Sequence, residues 1–375
     1  MARIQMFIAF LLAAGSASAA VLRVPQDHPT IQAAVDAASA GDVIRIKAGT
    51  YPELLFVNAK PNLTILGVGN VVIDGGNAAQ PALLIDQSDG FMLKNVRVRR
   101  ADVGVYAEDT SDITLLGLRI TQIATGGIFV KTGARARIEG CVVEGGTHEA
   151  IRSADTHTLI AKCVVPKSTG SGIVLLEGPA ACIGNKVSNA VGEGIVAIGS
   201  RTVLEKNVIK GCGGTGILVT TGAEFVLRAN KVTGAGADGI RANAGQVVID
   251  RNVVLSAAED GIDATGDALK VVQNTIKNRR TPACASELAA SASRCSRTAC
   301  GRAAAPASRS RGPTSCSPKT SASITPWGSR SRPATTTSST TTSDRQRRST
   351  NHDDVDRTRS SRLPARARRR RGARE

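Results

Sequence analysis

Val247-Val248-Ile249-Asp250-Arg251-Asn252-Val253-Val254-Leu255-Ser256-Ala257-Ala258-Glu259-Asp260-Gly261-Ile262-Asp263-Ala264 is three short apolar runs separated by two breaks. Valine and isoleucine dominate the runs, and Asn, Ser, Asp and Gly fill the breaks, which is the composition of strands joined by tight bends. The stretch recurs up the chain in steps of 22 or 23 residues. One mark of the repeat runs through Gly104-Val105, Gly127-Ile128, Ala150-Ile151, Gly172-Ile173, Gly194-Ile195, Gly216-Ile217, Gly239-Ile240 and Gly261-Ile262. A second mark runs through Asn95, Leu118, Cys141, Cys163, Asn185, Asn207, Asn230, Asn252 and Asn274.

A fixed period of this length means a solenoid. No run is long enough for an ordinary helix, which excludes ankyrin-type and helical repeats, and the Leu-x-x-Leu-x-Leu frame of leucine-rich repeats is absent. Three short parallel strands per turn make an all-β fold, a single-stranded right-handed parallel β-helix of about ten turns. Successive turns stack about 4.8 Å apart, so a repeat position becomes a ladder along the molecule. The apolar residue after each Gly fills a narrow core, and an aromatic content of only 2% suits that core. The Asn mark is expected in a tight bend, where Asn tolerates left-handed backbone angles and bonds the bends above and below. Cys141 and Cys163 replace Asn on consecutive turns and read as stacked buried thiols, with a disulfide as the alternative.

Residues 1–20 read as an export signal: Arg3, an apolar stretch from Met6 to Ala14, and Ala17-Ser18-Ala19 as a cleavage site. The expected location is therefore the periplasm or the outside of the cell, with no transmembrane segment. Thr30 to Ala38 follows as a short amphipathic helix with Thr30 as N-cap and Ile31, Ala34, Val35 and Ala38 on one face. It would cover the open end of the stack. Gly41-Asp42 then leads into the first strand at Val43.

From about Arg279 the marks stop. Residues 279–375 hold 22 basic and 6 acidic side chains, a net +16 of the chain's +17. The body, residues 21–278, is close to neutral, so the charge implies no nucleic-acid partner for the fold. The tail reads either as a disordered cationic segment or as out-of-frame translation of a GC-rich gene. The abrupt stop within a turn, and Cys284, Cys295, Cys300 and Cys316 without mates, favour the second.

Thr30-Ile31-Gln32-Ala33-Ala34-Val35-Asp36-Ala37-Ala38, Gly41-Asp42-Val43-Ile44 and Ala48-Gly49-Thr50-Tyr51-Pro52-Glu53 resemble the opening of right-handed parallel β-helix proteins of the pectate-lyase-like superfamily. The later turns resemble carbohydrate-binding and sugar-hydrolysis type repeats. The resemblance covers about residues 22–278. It implies a monomeric, exported protein that binds an acidic polysaccharide or cell-surface glycan, with lyase- or hydrolase-like cleavage as the finer expectation. The rival class is a non-catalytic surface or periplasmic module. The Gly-His-Gly, Asp-Pro-His-Asp and Arg-x-Pro-x-x-Arg motifs of the active members are missing, and fold alone does not imply function.

In such folds the Asn ladder lies between the second and third strands, and the Gly-Ile strand resembles the one lining the substrate groove. Two places stand out there. Asp238, Arg241, Glu259, Asp260 and Asp263 fall on adjacent turns. Asp238 and Asp260 share a repeat position, so calcium between them is the expected cofactor, with Asp238, Asp260 and Asp263 toward substrate and Arg241 as a base or carboxylate ligand. Against this, Asp-Gly is a turn former and Arg241–Asp263 reads as a surface ion pair. The second place is His148, Glu149 and Arg152, near Asp155 and His157, where Ala150 breaks the Gly mark; His and Glu suit acid–base work. Arg152 paired to Glu149 is the structural alternative. Glu205, Arg228 and Asp250 read as a salt-bridge ladder.

Overall fold

A computed structural model of the chain describes residues 19–199, 201–278, 294–296 and 299–302. The export signal, apart from Ala19 and Ala20, and most of the basic tail lie outside the described residues.

The backbone is a right-handed parallel β-helix of about 12 turns with one short helix. A representative turn has a first strand at Ile151–Ala154, a second at His157–Ala161 and a third at Val164–Val165. Each pairs in parallel with its counterpart one turn on, as Ile151 with Ile173, Thr158 with Ala180 and Val164 with Lys186. The sequence count of ten matches the first-strand stack, which begins at Leu55–Asn58. The second-strand stack is longer at both ends. Val21–Val24 precedes the helix and pairs with Val43–Ile46, so Val43 does not begin the sheet. Arg294–Ser296 pairs with Lys270–Val272, and Ala299–Arg302 pairs with Thr275–Asn278. The stack therefore continues past the boundary expected at residue 278.

The Gly-Ile mark is in register throughout, from Val105 on Ile128 to Ile240 on Ile262. Every one of these apolar residues is buried. The preceding Gly is needed because its corner is crowded: a Cβ on Gly194 would sit 2.5 Å from Gly216 O and 2.5 Å from Ile209 Cγ2.

The Asn ladder runs as expected from Asn185 to Asn274. Asn207 Nδ2 donates to Cys182 O at 2.7 Å and to Asn230 Oδ1 at 3.0 Å, while its Oδ1 accepts the Asn185 N–H at 3.0 Å. Asn230 and Asn252 repeat the pattern. These asparagines are fully buried with their amides satisfied, which is why they stabilise the core. Cys163 and Cys141 are free thiols that take over the donor role: Cys163 Sγ donates to Ile138 O at 3.6 Å and Cys141 Sγ to Leu115 O at 3.7 Å.

Two expectations about the ladder are corrected. The left-handed residue is not the ladder Asn but the one before it: Gly140 (φ 65°), Gly184 (φ 65°), Lys206 (φ 55°), Ala229 (φ 53°) and Arg251 (φ 55°). Non-glycine residues there carry a cost of roughly 1–2 kcal/mol each, which the ladder bonds offset. Asn95 belongs to this left-handed set, with φ 57°. Arg97 pairs with Arg119, so Val96, not Asn95, lies level with Leu118 on the ladder.

At the N-terminal end the helix Ile31–Ala37 covers the core with Ile31, Ala34 and Val35. Thr30 Oγ1 accepts the Ala33 N–H at 3.1 Å. The Glu53 carboxylate, from the following turn, accepts the N–H groups of Ile31 and Gln32 at 2.9 Å each. Two donors that a helix start leaves unpaired are thus satisfied.

Candidate functional site

The first-strand residues that alternate with the core positions form rows along the helix axis, exposed or half-buried except at the buried Val174 and Val196. One row, directly after the buried Ile, reads Tyr106, Phe129, Arg152, Val174, Val196, Leu218, Arg241 and Asp263. A second, two residues on, reads Glu108, Lys131, Ala154, Leu176, Ile198, Thr220, Asn243 and Thr265. Over these eight turns the face runs from aromatic and charged through aliphatic to the Arg241–Asp263 pair, and two earlier turns add Phe56 and Leu84 to the first row and Asn58 and Asp86 to the second.

The acidic end is tied together by Arg241. Its Nη2 lies 2.6 Å from Asp238 Oδ2 and 3.5 Å from Glu259 Oε2, and its Nε lies 3.2 Å from Asp263 Oδ2. Asp238 is buried, and its Oδ1 accepts the Asp260 N–H at 2.9 Å. Asp238 Oδ2 has no hydrogen bond of good geometry, so the charge on Arg241 is its partner. Burial, with Asp238, Asp263 and Glu259 nearby, pushes the Asp260 carboxyl up. Of the two carboxylates between which calcium is expected, Arg241 meets Asp238 and not Asp260. Among the described residues, no group of three or more His, Cys, Asp or Glu side chains is placed to hold a metal ion.

The rung at Ala150 is arranged differently. Among the described residues no hydrogen bond or ion pair joins His148, Glu149 and Arg152, so the structural pairing of Arg152 with Glu149 is absent. Glu149 Oε2 is buried without a hydrogen-bond partner. Arg152 is exposed and unpaired among the described residues. Asp155 is an exposed bend residue with φ 54°. His157 points away to a different recess, its Nδ1 3.0 Å from Ala134 O. The same rung departs from plain stacking inside the tube, where Ser153, Thr156 and Thr158 hydroxyls form a buried hydrogen-bonded cluster.

What Arg152 does meet is a recess of about 250 Å³ that it lines with Tyr106, Phe129 and Lys131. The Tyr106 hydroxyl donates to Glu108 Oε2 at 3.2 Å, and Lys131 Nζ lies 3.5 Å from the same oxygen. Burial, with Glu108 beside it, pushes the Tyr106 phenol up. Sequence reading missed Tyr106, Phe129 and Lys131. Adding the 22- or 23-residue step to the position after each Ile would have found the first two.

Glu205, Arg228 and Asp250 form only part of the expected ladder. Arg228 Nε lies 3.3 Å from Asp250 Oδ2, but Glu205 pairs with Lys206 at 2.9 Å.

Fold and rows together define a right-handed parallel β-helix. The family model described as the right handed beta helix region matches residues 81–180 and 171–310, and the chain belongs to that family. No curated protein sequence matches the chain. Among solved structures, the A-module of mannuronan C-5 epimerase AlgE4 from Azotobacter vinelandii shares the fold at 15% identity and a TM-score of 0.56, covering 66% of this chain and 83% of its own. An alginate lyase from Paenibacillus sp. str. FPU-7 aligns at 15% identity and a TM-score of 0.42, covering 71% of this chain and 97% of its own. Among the described residues, no helix is long and apolar enough to cross a membrane.

Proposed function

We propose that the protein is an exported β-helix that binds an acidic polysaccharide along its first-strand face, with the primary contact at Tyr106, Phe129, Lys131 and Arg152. The observation that carries this reading is the unpaired Arg152 beside two aromatic rings in one recess. A sugar ring offers an apolar C–H face to an aromatic ring, and a uronate carboxylate offers two oxygens to a guanidinium. The acidic rung at Asp238–Asp263 serves the stability of the C-terminal turns, because Arg241 is engaged by three carboxylates.

Cleavage is a second reading, and Glu149 favours it. A carboxylate oxygen buried without a partner is costly, and such costs concentrate at working sites. It lies on the same turn as His148 and Arg152, which could supply acid and anion-binding groups.

Binding of pectate, alginate and glycosaminoglycan oligomers, with and without calcium, tests both readings when combined with absorbance of the unsaturated product. Arg152→Ala is expected to weaken binding about tenfold or more, the loss of a charged hydrogen bond. Binding unchanged in Arg152→Ala and Phe129→Ala would remove the recess as the sugar site. Glu149→Gln is expected to stop product formation while sparing binding; a wild type that binds but forms no product leaves the protein a binding module.

A further inference from the structure

The third-strand face carries two more cations that no carboxylate answers. Arg97 and Arg119 are register partners on adjacent turns, both exposed. Parallel stacking holds their backbones about 4.8 Å apart. Like charges directly opposed across a sheet destabilise it. The neighbouring arginines show how the chain usually avoids this. Arg99 Nε lies 2.9 Å and Arg100 Nη2 2.6 Å from the buried Asp74 carboxylate. Arg135 pairs with Asp112, and Arg137 with Glu139. Arg97 and Arg119 have no hydrogen-bond or ion-pair partner among the described residues.

Their surroundings suit an incoming anion. Two recesses, of about 350 and about 190 Å³, flank the pair, and both arginines line both. Asn70 and Asn95 add amide groups on one side, and Thr121 and Gln122 add a hydroxyl and an amide on the other. Neither lining contains a carboxylate. Gly117 leaves room for the Asn95 side chain, since a Cβ there would sit 2.9 Å from Asn95 Oδ1.

We infer that Arg97 and Arg119 form a second anion-binding site, on a different face from Arg152, that takes a carboxylate of a glycan chain between the two guanidiniums. Two stacked guanidiniums present parallel N–H groups to one planar oxyanion, and the anion removes the repulsion that the bare pair carries. The assignment of the anion to a glycan rests on the reading proposed above, whereas the site itself does not.

The test is calorimetric titration of the full chain with oligogalacturonate, with a sulfated disaccharide and with inorganic phosphate, in low salt and again in high salt. Wild type, Arg97→Ala/Arg119→Ala, Arg97→Lys/Arg119→Lys and Arg152→Ala are compared, with circular dichroism to confirm folding. Two classes of oligogalacturonate site are expected in wild type. The Arg97/Arg119 alanine pair loses one class, by about tenfold or more, and keeps the other; Arg152→Ala shows the converse. Binding at this site weakens with salt, because the cations are exposed. The lysine pair recovers only part, since lysine lacks the planar fork. Should the alanine pair fold poorly, the single variant Arg119→Gln serves: without ligand its melting temperature equals or exceeds that of wild type, and oligogalacturonate no longer raises it through this site. Identical isotherms for wild type and the folded alanine pair would overturn the site. Phosphate binding without oligogalacturonate or sulfated-sugar binding would overturn the glycan as its ligand, and preference for the sulfated sugar would overturn the carboxylate.

Discussion

Arg241 Nη2 lies 2.6 Å from Oδ2 of the buried Asp238, and the same guanidinium also meets Glu259 and Asp263 of the next turn. Truncating Arg241 to alanine leaves Asp238, Glu259 and Asp263 without their shared cation and takes a nearby positive charge from Asp260. The expected cost is about 2 kcal/mol at neutral pH, below that of a fully buried pair because Arg241 is partly exposed. The cost shrinks in acid. A carboxyl raised in the folded state, as at Asp260, binds a proton before the unfolded chain does, so its penalty grows as pH rises through the raised value and fades below the unfolded one. Urea midpoints of wild type and Arg241→Ala at neutral and acid pH check this; an equal gap at both would contradict it.

Asp74 has the opposite sign. Hydrogen bonding from Arg100, aided by the Gly76 N–H and Arg99, lowers its carboxyl to about 2. The folded chain releases this proton more readily than the unfolded one. Its contribution is therefore complete above the unfolded value near 3.8 and is lost as pH falls toward 2. Asp74→Asn is expected to lower the melting temperature at neutral pH and to narrow its difference from wild type below about pH 3. A gap that widens in acid would refute the assignment.

Asn207→Ala removes four N–H···O hydrogen bonds in a buried bend and leaves Cys182 O and the Asn185 N–H without their partner. The expected loss is about 2–4 kcal/mol. Asn207→Cys should cost less, because Cys141 and Cys163 already show a thiol donating to the same carbonyl row. Hydrogen exchange at the amides of residues 185 and 207 reads the difference locally, which matters in a repeat protein whose turns need not unfold together.

Gly194→Ala drives a methyl to 2.5 Å from a carbonyl of the next turn and from the Ile209 side chain. Overpacking of this kind costs about 1–3 kcal/mol. The structure gives no account of why Ala150 is accepted at the same repeat position.

The β-helix itself was legible because its core is one-dimensional. Gly172, Gly194, Gly216 and Gly239 meet the same neighbours turn after turn, so the constraint repeats in the sequence. Asn95 was misplaced because 22 and 23 are both allowed steps: counting back from Leu118, one lands on Val96 and the other on Asn95. The extra residue falls between Ile123 and Gly126, at a shift of register within the paired strands, so Arg97 still meets Arg119 at 22 while Val105 meets Ile128 at 23. The outward rows repeat too, but their chemistry does not. That Arg241 turns to Asp238 and Asp263 while Arg152 stays unpaired depends on side-chain direction and on which carboxylates the bends bring within reach. The Glu53 cap on the helix joins parts of the chain about one turn apart, and no repeat mark flags it.

The ladder amides all face one way. Asn185, Asn207, Asn230 and Asn252 each donate from Nδ2 to the Oδ1 of the asparagine one turn later. Before Asn185 the file ends in two thiols and Leu118. The rod is therefore mechanically uneven: under tension from its N-terminal end, turns peel singly through Leu118 and Cys141. From Asn185 onward, each detached turn also breaks an amide link to the next, so the force record should change from small even steps to a larger resisting block.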